Sequence, residues 1–425
     1  MRYLPQTAAD RKAMLADIGV SHVDELYKDV PNGLLLKDAV DLPHHKGELE
    51  VERYMSALAS RNHSADAGPF FLGAGCYNHH IPSTVDYIIQ RSEFLTAYTP
   101  YQPEIAQGTL MYLFEFQSYI CNLTGMDVAN ASMYDGATSV AEAVLMAKRV
   151  TKRDNVTVVD GLHPEYTAVL NTYLTHSDGT TTVDTTADDK TACVVVQTPN
   201  FYGEVVDLAP WRKLCDDTGA LLVVAVTEIV SLGMLPAPAV ADIVAGEAQS
   251  IGVPMGFGGP HLGFFACKST YVRQMPGRLC GETIDADGKR GYVLTLNTRE
   301  QHIRREKATS NICTNQGLCA LAFTVHLSLL GEDGFKTLAQ LNHEAACTLA
   351  DALAEVDGVT VENTTFFNEF VINLPKPAAQ VVDKLADKGI IAGLPVGENK
   401  LLLAATEMTT DTHITALTAA LKEVL

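Results

Sequence analysis

The sequence predicts an α/β fold in which a large domain with a parallel sheet is followed by a small C-terminal α+β domain. Short apolar, β-branched runs alternate with helical patterns along the middle of the chain, and the order of elements changes towards its end. Continuously apolar strands separated by helices are typical of a parallel sheet covered on both faces. The predicted strands are Val156–Val159, Cys193–Gln197, Leu221–Val226, Asp242–Ala245 and Gly263–Cys267. The predicted helices between them are Ala137–Arg149, His163–Leu174 and Leu208–Thr218.

The closing section predicts a separate small domain because its elements come in a different order. A helical stretch with few breakers covers Arg299–Leu330. After it we expect helix Leu338–Val356, strands Val359–Glu362 and Phe370–Leu374, helix Ala378–Lys388, strand Leu401–Ala405 and helix Thr412–Val424. The more polar start of the chain, with helical stretches at Ala8–Ile18 and Val23–Lys28, indicates an arm or cap. The predicted domains are therefore 1–65, 66–305 and 306–425.

Composition excludes several classes of function. The 425 residues carry 31 Lys+Arg against 51 Asp+Glu, a formal net charge of −20, which argues against a nucleic-acid or anionic-membrane binder. No run of about 18 apolar residues and no apolar segment near the start is evident, so we expect a cytoplasmic protein. The nine cysteines include no C-x-x-C pair, which favours reduced, buried thiols over disulfides or a zinc site.

Common catalytic signatures are missing. The sequence has no G-x-x-x-x-G-K-[ST] motif and no G-x-S-x-G motif, and Gly73-Ala74-Gly75 is not continued into G-x-G-x-x-G. Nicotinamide, ATP and α/β-hydrolase chemistries are therefore disfavoured. The adjacent His79 and His80 would point apart in an ordinary strand or helix, so they do not indicate a metal site.

Three segments are unusual for a plain core. Tyr98–Glu104 reads YTPYQPE, where two prolines stiffen a loop with polar tips; it fits a site as well as it fits an interface packed by tyrosine rings. Asp135–Ser139 opens a helix, either as an anion site or simply with Asp135 as N-cap. Ser250–His261 is rich in glycine and proline, which predicts close backbone approach to a ligand or to a neighbouring subunit.

Five segments together resemble the glycine cleavage system P-protein family. They are YNHHIP (Tyr77–Pro82), YTPYQPEIAQG (Tyr98–Gly108), ANASMYDGATSVAEA (Ala129–Ala143), GVPMGFGGPHLGFFA (Gly252–Ala266) and KATSNICTNQ (Lys307–Gln316). The resemblance covers the whole chain, and the length of the chain matches the N-terminal half of the long-chain form. In many bacteria and archaea of this family, that half is a separate polypeptide, subunit 1. It implies the fold of type-I pyridoxal-phosphate (PLP) enzymes, similar to aspartate aminotransferase. It also implies decarboxylation of glycine on PLP and transfer of the aminomethyl group to the lipoyl arm of H-protein.

The two residues that hold PLP in this fold are missing from the sequence. A lysine is needed for the Schiff base, and an acid is needed opposite the pyridine nitrogen. Aligned with the catalytic pattern by the glycine-rich loop, the lysine position falls at Gln249, and no lysine occurs between Lys213 and Lys268. The acid position falls near Ala225, with Glu228 three positions further on. We therefore expect no covalently bound PLP and no cofactor-binding residue in this chain.

The resemblance then implies that a partner, P-protein subunit 2 (beta), carries PLP in an α2β2 assembly. Such enzymes build each active site at a subunit interface, so this chain can donate residues to its partner's site. Tyr98 and Tyr101 are the predicted donors, Glu104 or Asn78 would orient them, and His79 is the pH-sensitive candidate, although a structural histidine is the simpler interpretation. The basic cluster Arg299–Lys307 either faces H-protein or forms a solvated helix face, and we favour the latter.

Two other functions remain open at this point. One is an independent PLP enzyme of the same fold, such as a desulfurase or aldolase, with a lysine from elsewhere in the chain. The other is a scaffold that only stabilises subunit 2. Bound-PLP absorbance would identify the first, and the kinetics of complexes with loop substitutions would identify the second.

Overall fold

The chain forms two compact units, one ending at His63 and one covering Ser64–Leu425. The structure is a computed structural model that describes residues 6–36, 38 and 40–425. Residues 1–5, 37 and 39 of the predicted arm lie outside the described residues.

The first unit contains two helices, α1 (Ala8–Ile18) and α2 (Glu48–Ala59), and short 3₁₀ turns at Val23–Tyr27 and Asn32–Leu34. Helix α1 begins with a capping box, in which the Asp10 amide donates to Thr7 Oγ1 at 3.2 Å and the Thr7 amide donates to Asp10 Oδ2 at 2.7 Å. The prediction for α1 is confirmed, whereas Val23–Lys28 is a 3₁₀ turn and α2 was missed. Neither helix has a buried residue in the described structure.

The large sheet of the second unit has the order β1-β7-β6-β5-β4-β2-β3. Its strands are β1 (Val128–Ala129), β2 (Asn155–Val158), β3 (Thr181–Val183), β4 (Thr191–Gln197), β5 (Leu221–Val226), β6 (Ile243–Glu247) and β7 (Gly263–Cys267). The helices before and between these strands are α3 (Ser83–Ile89), α4 (Ser92–Leu95), α5 (Gln107–Thr124), α6 (Gly136–Thr151), α7 (Pro164–Leu174) and α8 (Ala209–Thr218). Every predicted strand and helix of this domain is confirmed, within two residues at most ends.

The sheet is not wholly parallel, which corrects the sequence prediction. Strands β2 to β6 pair in parallel, but β7 runs antiparallel to β6, and β1 runs antiparallel to β7. A parallel neighbour requires a crossover, usually a helix. The connection from β6 to β7 is the glycine-rich segment, which has no helix, so the chain turns back and β7 returns alongside β6.

Alternate residues of the central strands enter different cores. Val194 and Val196 of β4 belong to a first core, whereas Cys193 and Val195 belong to a second core on the opposite face of the sheet. This alternation follows from the two-residue period of a strand. Both faces are apolar, so the polar chemistry of the domain is confined to the ends of the strands.

A hairpin, β8 (Leu279–Ile284) with β9 (Arg290–Thr295), precedes the short helix α9 (Gln301–Arg304) and the long helix α10 (Gly317–Ala354). The prediction of one helix over Arg299–Leu330 is wrong for its first half. Between α9 and α10, Ser, Thr and Asn side chains bond to backbone groups and compete with helix formation; for example, the Ile312 amide donates to Ser310 Oγ at 3.0 Å.

Helix α10 spans 38 residues and is interrupted at Gly331, whose φ of 63° is left-handed. It is long and apolar enough to cross a membrane by composition alone. Its buried side chains, however, pack in the first core and in a third core within the small domain. Packing of this kind is typical of the core helix of a globular domain.

The small domain contains an antiparallel sheet with the order β10-β11-β13-β12. Its elements are β10 (Thr360–Val361), β11 (Glu369–Asn373), α11 (Ala378–Ala386), β12 (Leu394–Pro395), β13 (Lys400–Ala404) and α12 (Asp411–Val424). The predicted α+β order is confirmed, except that the predicted helix Leu338–Val356 is the second half of α10. The boundary between residues 305 and 306 stays a prediction.

Candidate functional site

Four residues lie at or just beyond the carboxyl ends of β4, β5 and β6, where ligands bind in open α/β sheets. We call Gln197, Ala225, Glu247 and Gln249 the strand-end cluster. The Gln197 side chain accepts a hydrogen bond from the His163 amide at 2.8 Å and donates to Thr227 Oγ1 at 3.3 Å. Polar groups here therefore bond to one another.

The two positions that the sequence analysis singled out offer neither an acid nor an amine. Ala225 is fully buried in β5, and its methyl group cannot accept a proton. Gln249 is also buried, and its Oε1 accepts a hydrogen bond from Cys76 Sγ at 3.0 Å. Glu228, the acid nearest in sequence to Ala225, is bonded elsewhere, as described below.

Glu247 occupies the N-terminal end of α6. Its Oε2 accepts a hydrogen bond from the Gly136 amide at 2.9 Å, and its Oε1 accepts from the amides of Leu262 at 2.7 Å and Gln249 at 3.1 Å. Burial raises the pKa of Glu247, and the amides of Leu262 and Gly136 oppose that shift. A helix N-terminus is a natural anion site, and here the anion is supplied by the chain itself.

Asp135 is the N-cap of α6, with Oδ1 accepting from the Thr138 amide at 2.7 Å. The capping interpretation of Asp135–Ser139 is thus confirmed. Gly136 has no room for a side chain, because a Cβ atom there would collide with the Tyr166 hydroxyl.

The strand-end cluster does not fit PLP. A phosphate group at the end of α6 would have to displace the Glu247 carboxyl group, which already accepts the hydrogen bond of the Gly136 amide. Ala225 and Gln249 cannot supply the pyridinium partner or the Schiff-base amine.

A buried histidine network lies beside this cluster and consists of His79, Glu228 and Glu407. His79 Nδ1 lies 2.9 Å from Glu407 Oε2, and Nε2 lies 3.1 Å from Glu228 Oε2. Ser250 Oγ donates to Glu228 at 3.0 Å, and Asn342 Nδ2 donates to Glu407 at 3.0 Å. The network joins the segment before α3 to the ends of β5 and β13 and to α10.

The charges in this network depend on one another. Burial alone would lower the pKa of His79, but Glu228 and Glu407 raise it to about 10. Burial would raise the pKa of Glu407, but its bond to His79 lowers it to about 2. His79 is therefore an imidazolium near neutral pH, held between Glu228 and Glu407.

A third buried acid, Glu369 at the start of β11, lies close to the network. Its carboxylate accepts hydrogen bonds from the Tyr77 hydroxyl at 2.9 Å and the Ala74 amide at 2.5 Å. Burial raises the pKa of Glu369 to about 7, with Glu228 adding to the shift. Glu228 and Glu369 line a small cavity between the large and small domains, together with Asn200, Thr227 and Asn368.

The tyrosine loop, Tyr98–Glu104, lies on the surface. Tyr98 is 88% exposed, Tyr101 is 56% exposed, and Glu104 is also exposed. The Tyr101 hydroxyl accepts a hydrogen bond from Arg278 Nη2 at 3.3 Å, and the ring packs edge-on against His302 with centroids 6.0 Å apart. No metal-binding group of His, Cys, Asp and Glu occurs here or elsewhere in the described part of the chain.

Comparison with known proteins decides the family. A family model described as glycine cleavage system P-protein matches residues 1–421. Relatives from Parvibaculum lavamentivorans and Rhodospirillum centenum, each described as probable glycine dehydrogenase (decarboxylating) subunit 1, are 56% and 57% identical, with 100% of both chains covered. The chain belongs to the glycine cleavage system P-protein family.

Solved structures confirm the fold. A glycine decarboxylase (P-protein) in inhibitor-bound form superposes with a TM-score of 0.92 at 44% identity, over 100% of both chains. A glutamate decarboxylase from Lactobacillus brevis matches with a TM-score of 0.67 at 14% identity over 95% of this chain, a likeness of fold alone. The predicted type-I PLP-enzyme fold is therefore correct for this P-protein chain.

The site residues predicted for the P-protein chain fall into two separate groups. His79 belongs to the buried histidine network, and the Asn78 carbonyl accepts a hydrogen bond from Thr406 at 2.5 Å near it. Tyr98, Tyr101 and Glu104 belong to the surface loop. In the described residues the Tyr101 hydroxyl is bonded to Arg278, not to Glu104 or Asn78, so the predicted orienting partners are not seen.

Several residues of the P-protein site escaped the sequence analysis. Glu407 and Glu369 lie far from His79 in sequence, and only the packing of the small domain brings them together. Glu247 had a local signal, because an acid that ends an apolar strand is unusual. The basic cluster Arg299–Lys307 is not one helix face: Arg299 is buried and donates to the Gly277 carbonyl at 3.0 Å, whereas Arg304, Arg305 and Lys307 are exposed.

Proposed function

We propose that this chain is the non-PLP subunit of a two-subunit P-protein. In the proposed complex, a lysine-bearing subunit 2 holds PLP, glycine is decarboxylated there, and the aminomethyl group passes to the lipoyl arm of H-protein. Family membership over the whole chain supports the reaction. The assignment of PLP to subunit 2 rests on the strand-end cluster of this chain, where Gln249, Ala225 and Glu247 do not fit the cofactor.

The role proposed for this chain is to complete the partner's active site with the tyrosine loop. Tyr98 and Tyr101 are exposed although large aromatic rings gain free energy from burial, which fits rings that a partner covers. A phenol has one donor and can accept hydrogen bonds as well. Because the Tyr101 oxygen accepts from Arg278, its own proton remains free to be donated to a charged group in the partner's site.

Replacement of Tyr101 or Tyr98 by phenylalanine should slow the reconstituted complex without preventing its assembly. The substitution removes one hydroxyl and keeps the ring. A hydrogen bond to a charged group is worth about 1.5–3 kcal/mol, so we expect a loss of about 10- to 150-fold in glycine–bicarbonate exchange if the bond acts in the transition state. Sedimentation of each variant complex serves as the assembly control.

A scaffold subunit would behave in the opposite way. Phenylalanine would be harmless at both positions, and only alanine, which removes the packed ring, would weaken assembly. Full exchange activity in both Tyr98→Phe and Tyr101→Phe complexes would therefore refute the assignment of the loop to the active site.

The same proposal requires an obligate hetero-oligomer, for which we propose an α2β2 assembly in the cytoplasm. Helix α2 carries exposed apolar side chains at helical spacing, namely Val51, Tyr54, Met55 and Leu58. Residues at i, i+3, i+4 and i+7 share one face of a helix. Such an exposed apolar stripe fits a surface covered by subunit 2.

Introduction of a carboxylate into the α2 stripe should weaken binding to subunit 2. Met55→Glu removes an apolar contact worth about 1.5–3 kcal/mol, so we expect the dissociation constant to rise at least about 10- to 100-fold. Ser56→Glu adds the same charge at the next residue, on the side of the helix that carries Arg53 and away from the stripe, and should bind normally. Equal affinities of the two variants in sedimentation titrations would exclude the stripe from the interface.

A further inference from the structure

Arg278 lies directly beneath the tyrosine loop. It precedes β8, and only 3% of its surface is exposed. Its guanidinium group is 5.4 Å from the centroid of the Tyr101 ring. A buried arginine is costly unless its donors find acceptors, so its partners identify what it holds in place.

The guanidinium group joins two segments of the P-protein resemblance. Nη2 donates to the Tyr101 hydroxyl and to the Cys313 carbonyl, each at 3.3 Å. Nη1 donates to Thr314 Oγ1 at 3.0 Å, to Asn315 Oδ1 at 3.2 Å and to Thr99 Oγ1 at 3.5 Å. The first segment is the tyrosine loop, and the second is the Lys307–Gln316 stretch.

The second segment is itself fixed to the large sheet domain. Asn315 Nδ2 donates to the Ala131 carbonyl at 2.8 Å, and the Cys313 amide donates to the Tyr134 hydroxyl at 2.8 Å. Arg278 therefore connects the exposed loop to a segment anchored next to β1 and α6. Its Nε lies 3.8 Å from Glu300 Oε2, beyond hydrogen-bond distance.

We propose that Arg278 is a positioning residue for the reaction of the complex and acts through the Tyr101 hydroxyl. This proposal rests on the proposed function of the tyrosine loop. The guanidinium group fixes the ring by its cation–π contact and occupies an acceptor position of the phenol, which directs the phenolic proton outward. Lysine would keep the charge, but it cannot hold Tyr101, Thr99 and the Cys313–Asn315 stretch in one plane.

A double-mutant cycle tests the coupling of Arg278 to Tyr101. If Arg278 acts through the hydroxyl, Arg278→Met and Tyr101→Phe should each reduce kcat by about 10- to 100-fold at similar KM for glycine, and the double variant should be no slower than Tyr101→Phe within about threefold. Arg299→Met is the matched control, since Arg299 is also buried nearby but donates to backbone carbonyls. The fold loss of kcat in the Arg299→Met, Tyr101→Phe double variant should equal the product of the two single losses.

A second measurement does not depend on turnover and uses the reconstituted complex in which only this chain carries labelled tyrosine. With ¹³Cζ-labelled tyrosine, the signal that is missing in Tyr101→Phe identifies Tyr101. That signal should shift in Arg278→Met and in the milder Arg278→Lys, and it should stay in place in Arg299→Met. If the methionine variant does not fold, Arg278→Lys replaces it in the double-mutant cycle.

The outcomes separate this inference from the proposed function. Three results would overturn the role of Arg278 alone. The first is a slow Tyr101→Phe complex together with a fully active Arg278→Lys or Arg278→Met complex. The others are losses of kcat that multiply in the double variant and a Tyr101 signal that does not shift. Full activity of the Tyr101→Phe complex would overturn the active-site role of the loop, and the role of Arg278 with it.

Discussion

Replacement of His79 by alanine should lower the free energy of unfolding by about 3–5 kcal/mol, the usual result of removing one partner from a buried ion pair. The variant leaves Glu228, with 2% of its side chain exposed, and Glu407 without the imidazolium between them. Two buried carboxylates in one site repel and must take up protons or water. Denaturant unfolding at pH 6.5 measures the loss.

The pH dependence of stability identifies the source of this loss. The pKa of His79 rises from 6.5 to about 10 on folding, so its contribution is complete below pH 6.5 and disappears as the pH rises through about 10. The pKa of Glu369 rises from 4.5 to about 7 on folding, so the folded state binds an extra proton between these values and stability falls as the pH rises from 4.5 to 7. Glu407 acts at the other end, since its contribution is present above pH 4.5 and is lost as the pH falls through about 2.

His79→Ala should therefore remove the decline between pH 6.5 and 10 and keep the decline between pH 4.5 and 7. His80→Ala is the matched control, because His80 is the adjacent histidine and its side chain is exposed. A decline above pH 6.5 that is equally steep in wild type and His79→Ala would contradict the charged state assigned to His79.

Replacement of Glu247 by alanine should cost at least about 3 kcal/mol of unfolding free energy. Three buried amides, those of Gly136, Gln249 and Leu262, lose their acceptor, and each orphaned donor costs about 1–3 kcal/mol. The substitution also empties the anion position at the start of α6. Inorganic phosphate should then bind there and restore about 1.4 kcal/mol at ten times its dissociation constant.

Asp242→Ala provides the control for general effects of phosphate on stability. Asp242 is a buried acid just before the opposite end of the same strand, bonded to Arg212 Nη1 at 2.7 Å and Lys268 Nζ at 2.8 Å. It should destabilise the chain without any rescue by phosphate beyond that given by sodium chloride at equal ionic strength. Equal rescue of both variants would mean that Glu247 does not occupy an anion site.

The sequence predicted the architecture well because its strands are buried on both faces and its helices have clear ends. Leu221–Val226, for example, is apolar at every position and lies between Gly219 and Glu228, so its pattern predicts a buried strand. Predictions failed where local pattern carried no information. The direction of β7 depends on a helix-free connection, and the residues before α10 form a loop because their side chains bond to backbone groups.

The candidate site was predicted only in part, for a physical reason. Gln249 and Ala225 could be recognised by the residue types that they lack, and the tyrosine loop by its prolines. The histidine network depends on Glu407 meeting His79 across 328 positions of sequence, a contact that only tertiary packing decides. The contact of Arg278 with the tyrosine loop could not be predicted, because a single arginine in the sequence does not show which residues pack against it.

The unbroken part of helix α10 after Gly331 has a consequence for how the second unit loses its structure. Phe335 and Ala339 belong to the first core, whereas Ala346, Leu349 and Leu353 of the same helix belong to the third. Helix formation is cooperative, so neither core can melt while the other keeps this helix whole. We therefore expect the large and small domains to unfold as one cooperative unit, so that a defect where they meet, such as a missing His79, lowers the stability of both.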